Sequence, residues 1–186
     1  AIYKKVTEIY PNDYRGFNNL GMVNFEQGDL NGAENNFKKA AKVNPNSPEV
    51  QMNLGLIDLT KDELNSAEQA FGKSAGVNEL NDALGVLYMQ KGDYTKAVRA
   101  FGDSKTNNAA LAQILTKDYN KAKNTLSAVS EPNATTYYLM AVVGARTNNQ
   151  KAVTDNLKKA VSLDSNMAQQ AATDLEFAKY DISSIK

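Results

Sequence analysis

The side chains that most often carry chemistry are thinly supplied in this chain. Histidine and cysteine are both absent, which removes thiolate nucleophiles, disulfides, Cys/His zinc sites and the usual proton carrier near neutral pH. Carboxylates, lysines and many asparagines remain. Neighbouring carboxylates such as Asp62-Glu63 could share a proton as a buried dyad, given an apolar pocket to perturb them. Placed at a helix start, they serve instead to meet the positive end of the helix dipole. Lys4-Lys5, Lys38-Lys39 and Lys158-Lys159 could read a small anion, but fit the solvated faces of helices equally. No Gly-x-Gly-x-x-Gly or phosphate-loop pattern occurs, and Gly28-Asp29 and Gly92-Asp93 suit turns between helices. Asn133-Ala134-Thr135 has the form of a glycosylation triplet, a form that recurs by chance in asparagine-rich chains. These residue types predict no catalytic residue, no cofactor and no metal site.

Composition narrows the partners. The 186 residues carry 21 Lys plus Arg against 21 Asp plus Glu, so no electrostatic bias favours the phosphates of a nucleic acid. No apolar run approaches the ~20 residues that cross a bilayer. The lack of cysteine leaves the compartment open, since both oxidising and reducing locations tolerate it. Beginning at Ala1 with no visible signal peptide, the sequence reads as a processed chain or an excised piece.

The elements that must position any site repeat along the chain. Between Tyr14 and Ser47 stand Phe17, Leu20, Gly21, Gly28-Asp29, Ala33, Phe37, Ala40 and Pro45; the skeleton returns as Leu54-Gly55, Ala67 and Phe71, then as Leu84-Gly85, Gly92-Asp93, Ala97 and Phe101. Asp13 is expected to cap a first helix from Tyr14 to Glu26, with Gly28 turning left-handed and Asp29 capping a second helix to Val43. Gly21 and Ala33 let the two approach, with Phe17, Leu20 and Phe37 filling the seam. Ser47 caps the next helix with Pro48 in its first turn. Further helices are expected near 48–60, 64–76, 78–90, 94–103, 107–116, 119–128 and 150–163, the last preceded by an apolar helix that opens after Glu131-Pro132-Asn133. Gly21 and Gly55 are 34 apart but Gly55 and Gly85 only 30, a loss of about one helical turn that keeps side chains on their faces. Ala122 and Ala152 mark two degenerate pairs, the last of which fits two registers one residue apart.

Ile2, Val6 and Ile9 lie on one face of an opening helix that Pro11 stops. Tyr3 and Pro11 keep the offsets of Phe37 and Pro45, so this helix reads as the second half of an earlier, truncated unit. The divisions are therefore 1–13 for that helix, 14–47, 48–77 and 78–104 for three units, 105–130 and 131–165 for two degenerate ones, and 166–186 for a C-terminal cap and tail. In the cap, Ala171, Leu175 and the Phe177/Tyr180 edge are expected to dock while Asp174, Glu176 and Lys179 face water.

These residues resemble the tetratricopeptide repeat (TPR) family, whose pattern is aromatic-x2-Leu-Gly-x2-Tyr, Ala-x3-Phe and Pro at a period of 34. Asn24 replaces the tyrosine in the first unit, and Gln51 and Asp58 replace both aromatics in the second; the third keeps Tyr88. The resemblance covers residues 1–104 well. It implies an all-α fold, a right-handed α-solenoid of stacked antiparallel helix pairs. Ala70-Phe71-Gly72-Lys73-Ser74, its echo Ala100-Phe101-Gly102-Asp103-Ser104, and the ending 171–179 are similar to segments of multi-repeat envelope-associated proteins of Bacteroides-type bacteria. That likeness implies an extracytoplasmic location and a longer parent chain.

Within the family the first helices of each pair form a concave wall. The resemblance places there Asn18, Met22 and Phe25; Met52, Asn53, Leu56 and Leu59; and Asp82, Val86 and Met89. Such a groove suits a protein or peptide partner, an amphipathic helix or extended segment, because methionine adapts to irregular shapes. Several of these side chains would instead pack against the neighbouring helix, and Asn18, Asn53 and Asp82 are the better ligand candidates, being polar where a closed core excludes them. The lysine/arginine/asparagine carboxylate clamp of one TPR subclass maps onto Asn18, Met22, Asn53, Glu79 and Ala83, of which only the asparagines fit. A non-catalytic interaction scaffold is the leading reading. A small-ligand binder or enzyme using the groove or the notch at the squat fourth pair is the second, and a self-associating spacer the third.

Overall fold

The computed structural model describes residues 2–185, and every regular element among them is helical. The chain divides into two compact units, residues 1–91 and 92–186, each with its own core.

In the first unit the helices are α1 (Ile2–Ile9), α2 (Tyr14–Glu26), α3 (Leu30–Val43), α4 (Pro48–Thr60), α5 (Leu64–Phe71) and α6 (Leu80–Gln90). The Asp13 carboxylate starts α2 by accepting the Arg15 N–H at 3.0 Å. The helix ends in a Schellman motif: Gly28 is left-handed at φ 77°, its N–H reaches the Phe25 carbonyl and that of Asp29 reaches Asn24 (3.0 and 2.9 Å), satisfying two orphan acceptors. Asp29 then caps α3 through the Gly32 N–H at 2.9 Å, and Ser47 caps α4 through Val50 with Pro48 at its first turn.

The α4–α5 turn has the same motif without glycine, with Asp62 left-handed at φ 61°. In both hairpins the seam closes on a glycine. A Cβ at position 21 would stand 2.6 Å from the Phe37 ring, and one at 55 would stand 2.5 Å from Phe71. Phe37 and Phe71 are each 1% exposed, while Phe17 and Leu20 are only half-buried. Ala33, Phe37 and Ile57 form one core cluster, and Met52, Leu59, Ala67, Phe71, Ala83 and Leu87 another.

The second helix of this second pair was expected to reach 76 but stops at Phe71. Gly72 weakens helical propensity, and the fully buried Ser74 donates its hydroxyl to the Ala70 carbonyl at 2.9 Å. The Ser74 N–H meanwhile turns back to Phe71 at 3.0 Å. Helix α1 buries no residue.

The second unit contains α7 (Tyr94–Phe101), α8 (Asn107–Leu115), α9 (Tyr119–Ser127), α10 (Ala134–Arg146), α11 (Gln150–Leu163) and α12 (Asn166–Thr173), then a single 3-10 turn, Leu175–Phe177. Asp93, Thr106, Asp118, Asn133 and Asn149 cap successive helices with side-chain oxygens, and Asn133 and Thr136 form a reciprocal capping box. Lys117 and Asn148 occupy the left-handed turn positions, at φ 64° and 55°.

The register of the last pair is one residue later than Ala152 indicated. Asn149 caps α11, and the buried series after it is Val153, Leu157 and Ala160, all 0% exposed, matching Ala33, Phe37 and Ala40 after Asp29. The alanine at 152 instead lies against Gly144, where an added Cβ would come within 3.0 Å of it.

The C-terminal cap also differs from one continuous helix. At Asp174 the chain breaks and folds against α10. Phe177, 1% exposed, meets Tyr138 edge to face at 5.6 Å, and Tyr180 donates to the Ala145 carbonyl at 2.6 Å. Leu175, expected to dock, is 88% exposed. Asp174 and Glu176, expected to face water, take the Tyr138 hydroxyl at 2.6 Å and an ion pair with Arg146. The break rotates the polar side of the segment inward, where the Asp174 carboxylate caps the turn through Glu176 N–H at 2.9 Å.

Candidate binding face of the first unit

All ten residues assigned to the groove fall in the first unit, on α2, α4 and α6. Their packing separates them. Met52 and Leu59, 3% and 8% exposed, belong to the core cluster that joins α4, α5 and α6, with Leu56 and Val86 half-buried on its edge. Met22 and Phe25 edge the cluster around Phe37 and Ile57. Met89 is half-buried and Asp82 is exposed in the first turn of α6.

Asn18 and Asn53 are brought together: the Asn53 Nδ2 donates to the Asn18 Oδ1 at 2.9 Å, linking α2 to α4. An asparagine amide offers two N–H donors and a carbonyl with two lone pairs, so this single bond leaves both side chains with unspent capacity. Beside half-buried Met22, Phe25 and Leu56 they make a mixed surface, polar at one point and apolar around it.

A charged cluster that the sequence did not announce lies elsewhere in the same unit. Glu34, Lys38, Asp58, Glu63 and Lys73 line a cleft of about 360 Å³ bounded by α3, α4 and α5. Glu34 pairs with Lys38 at 2.7 Å and with Lys61; these bonds hold its carboxyl below the usual range, Lys38 contributing most. Asp58 is raised, first by burial and then by the nearby Glu63 and Glu34 charges. Spacing 24 residues apart along the chain, on two helices, hides this convergence from any local motif. Among the described residues no group of three or more carboxylates is placed to hold a metal, and no helix is long and apolar enough to cross a membrane.

Comparison with known proteins follows the same pattern. A family model described as TPR repeat matches residues 23–59, and one described as tetratricopeptide repeat matches residues 79–104. No curated protein matches the chain. Among solved structures, the Cut9–Hcn1 hetero-tetramer of the APC/C is similar over 99% of this chain and 40% of its own, at 16% identity and a TM-score of 0.83. The chain thus spans well under half of that relative's length. A TPR protein from Parabacteroides merdae is 20% identical over 90% of this chain and 73% of its own, with a TM-score of 0.65. YrrB, a TPR protein with an unusual peptide-binding site, is 19% identical over 94% of this chain and 99% of its own, with a TM-score of 0.67. At these identities the likeness is one of fold, an α-solenoid of paired helices, and it coincides with matches over the two stretches where the sequence pattern is strongest. Residues 23–59 and 79–104 thus match tetratricopeptide repeats, within an all-helical fold like that of solved TPR proteins.

Proposed function

We infer that the chain is a non-catalytic protein-interaction module, and that its first unit takes a peptide or helical segment across α2, α4 and α6. The Asn18–Asn53 bond carries this reading. The remaining donor and acceptor capacity of the two amides complements a peptide backbone, which offers one N–H and one C=O per residue. Met22, Phe25, Leu56, Val86 and Met89 supply adaptable apolar contact around it, Asp82 marks the polar rim, and Met52 and Leu59 support the face from the core. The peptide-binding site of YrrB, a similar fold, lends the reading weight by analogy. Selection from a displayed peptide library, followed by titration of the recovered peptide, tests it. Met22→Lys, Leu56→Lys and Val86→Lys should each weaken binding at least tenfold with folding retained; unchanged affinity in all three removes this face from consideration.

A second reading, self-association, rests on α1. The proposed divisions make it the second helix of a preceding repeat, and much of its apolar surface is uncovered: Ile2 and Ile9 are 76% and 66% exposed, Tyr10 just beyond it 62%, and Tyr3 41% against 1% for its counterpart Phe37, while Val6 is half-buried. A first-type helix from another copy would cover that face. Light scattering that returns a monomer mass at high concentration eliminates this reading. The short motifs at 70–74, 100–104 and 171–179 support an envelope-associated, extracytoplasmic setting, which fractionation of the native host would check.

A further inference from the structure

Where the second helix of one pair meets the first helix of the next, three register points recur: the fifth residue after the N-cap, and the fourth and first residues before the left-handed turn residue. In the first unit these points are Glu34 with Asp58 and Lys61, then Glu68 with Tyr88 and Lys91. The acid and the lysine pair in both cases, and in the second the Tyr88 ring fills the space, its hydroxyl donating to Glu68 Oε1 at 3.1 Å. In the second unit the same points on α9 and α10 are Lys123, Gly144 and Thr147. The acid has become a cation, the ring a hydrogen atom and the lysine a threonine. A cavity of about 100 Å³ stands there, bounded by α9, α10 and α11.

The polar groups around this cavity differ in what their other bonds leave free. The Ser127 hydroxyl donates to the Lys123 carbonyl at 2.9 Å and the Thr147 hydroxyl to Val143 at 2.8 Å, so both hydroxyl hydrogens are spent. The Asn149 Oδ1 is spent on the Ala152 N–H at 3.0 Å, leaving its amide N–H groups. Asn156 uses one N–H on the Ala152 carbonyl at 2.8 Å and keeps another. Lys123 is the only charged residue lining the cavity, and among the described residues it has no ion pair; on α11, Lys151 and Asp155 neutralise each other. What remains is the cationic Lys123 ammonium and the Asn149 and Asn156 amide N–H groups as donors, with the Ser127 and Thr147 hydroxyl oxygens and the Asn156 carbonyl as acceptors, around a wall of Met140, Val143 and Ala152.

We propose that this cavity binds a carboxylate on a short aliphatic stem. The ammonium of Lys123 and the amide N–H groups of Asn149 and Asn156 receive the carboxylate oxygens as charge-assisted donors, and the stem lies on the apolar wall. Size sets the class: a cavity of about 150 Å³ admits benzene, so this smaller one suits an acid of roughly three to five carbons. A free short-chain acid and the side chain of a glutamate in a partner share this chemistry.

Amide NMR titration with butyrate, butyramide, and capped Gly-Glu-Gly and Gly-Gln-Gly peptides tests the assignment. Butyrate should move the Gly144, Ala152 and Asn156 signals saturably, with butyramide at least tenfold weaker. Lys123→Met should weaken butyrate tenfold or more without altering the melting temperature, because that side chain is solvent-exposed. Tighter binding of the glutamate peptide than of butyrate assigns the site to a partner's side chain, and the reverse to a free acid; each ordering supports carboxylate recognition. Equal response to butyrate and butyramide, no response near Gly144, or an unaffected Lys123→Met overturns it. Because the site lies wholly in the second unit, none of these outcomes depends on the peptide-binding reading of the first.

Discussion

The Phe37 ring occupies the space that a side chain on residue 21 would need, 2.6 Å from where its Cβ would stand. Phe71 stands over Gly55 in the same way at 2.5 Å. Each ring is enclosed on its other sides, so it cannot yield as an exposed side chain would. Helix-interior glycine is ordinarily a weakness of about 1 kcal/mol relative to alanine; here it is the condition for closing the hairpin.

Gly21→Ala and Gly55→Ala should therefore destabilise despite their better helix propensity. Overpacking costs about 1–3 kcal/mol, so the net loss in urea unfolding should be of the order of 1–2 kcal/mol. Pairing Gly55→Ala with Phe71→Leu should cost less than the sum of the two single changes. Strict additivity would show that the ring and the glycine do not compete for the same space.

The turn residues predict the opposite sign. Lys117 is left-handed at φ 64° and Asp62 at φ 61°, where side chains with a Cβ are strained by about 1–2 kcal/mol. Lys117→Gly should raise stability by about 1 kcal/mol, after the entropy that glycine adds to the unfolded chain. Gly28→Ala, at φ 77°, should lower it by a similar amount. A loss of stability in Lys117→Gly would mean that its side chain contributes contacts outweighing the backbone strain.

Asp58 gives a pH signature. Its folded pKa lies above the unfolded value of 3.8, from burial first and then from Glu63 and Glu34. Between the two values the native state binds more protons than the unfolded one, so stability falls as pH rises through that window. Asp58→Asn should accordingly raise the melting temperature at pH 7 and lose that advantage near pH 3. An equal effect at both pH values would assign the gain to packing rather than charge.

Much of this architecture was legible because its causes are local. Asp13, Asp29 and Ser47 announce caps, Pro48 a first turn, and Gly21, Ala33 and Phe37 a close crossing, since each acts within a few residues or through a fixed period. Glycine marked the left-handed turn at 28 but not the same turn at Asp62, Lys117 and Asn148, where the surrounding helices impose the conformation on residues that do not favour it. The register of the fifth pair was obscured because Ala152 and Val153 both suit a helix seam, and only the Asn149 cap decides between them. The Asn18–Asn53 bond could be anticipated as two polar residues on one wall. The Lys123 cavity could not, because it is defined by what is missing at Gly144 relative to Tyr88.

The C-terminal segment carries the last prediction. Phe177 is the side chain that holds the broken cap against α10, fully buried and edge to face with Tyr138, whereas Leu175 two positions earlier is bare to solvent. A buried aromatic truncated to alanine typically costs about 3–5 kcal/mol, so Phe177→Ala should cost near that amount if the cap unfolds together with the second unit. The Tyr138 hydroxyl, whose pKa burial and the Asp174 carboxylate push well above the ordinary phenol range, donates to Asp174 at 2.6 Å; Tyr138→Phe should cost about 1.5–3 kcal/mol, as a bond to a charged group does. Leu175→Ala should be neutral within about 0.5 kcal/mol. Hydrogen exchange distinguishes the mechanism: in Phe177→Ala, protection should fall in α10 and α11 together with the cap. Loss confined to residues after 173 would show instead that the segment frays independently and does not support the pair beneath it.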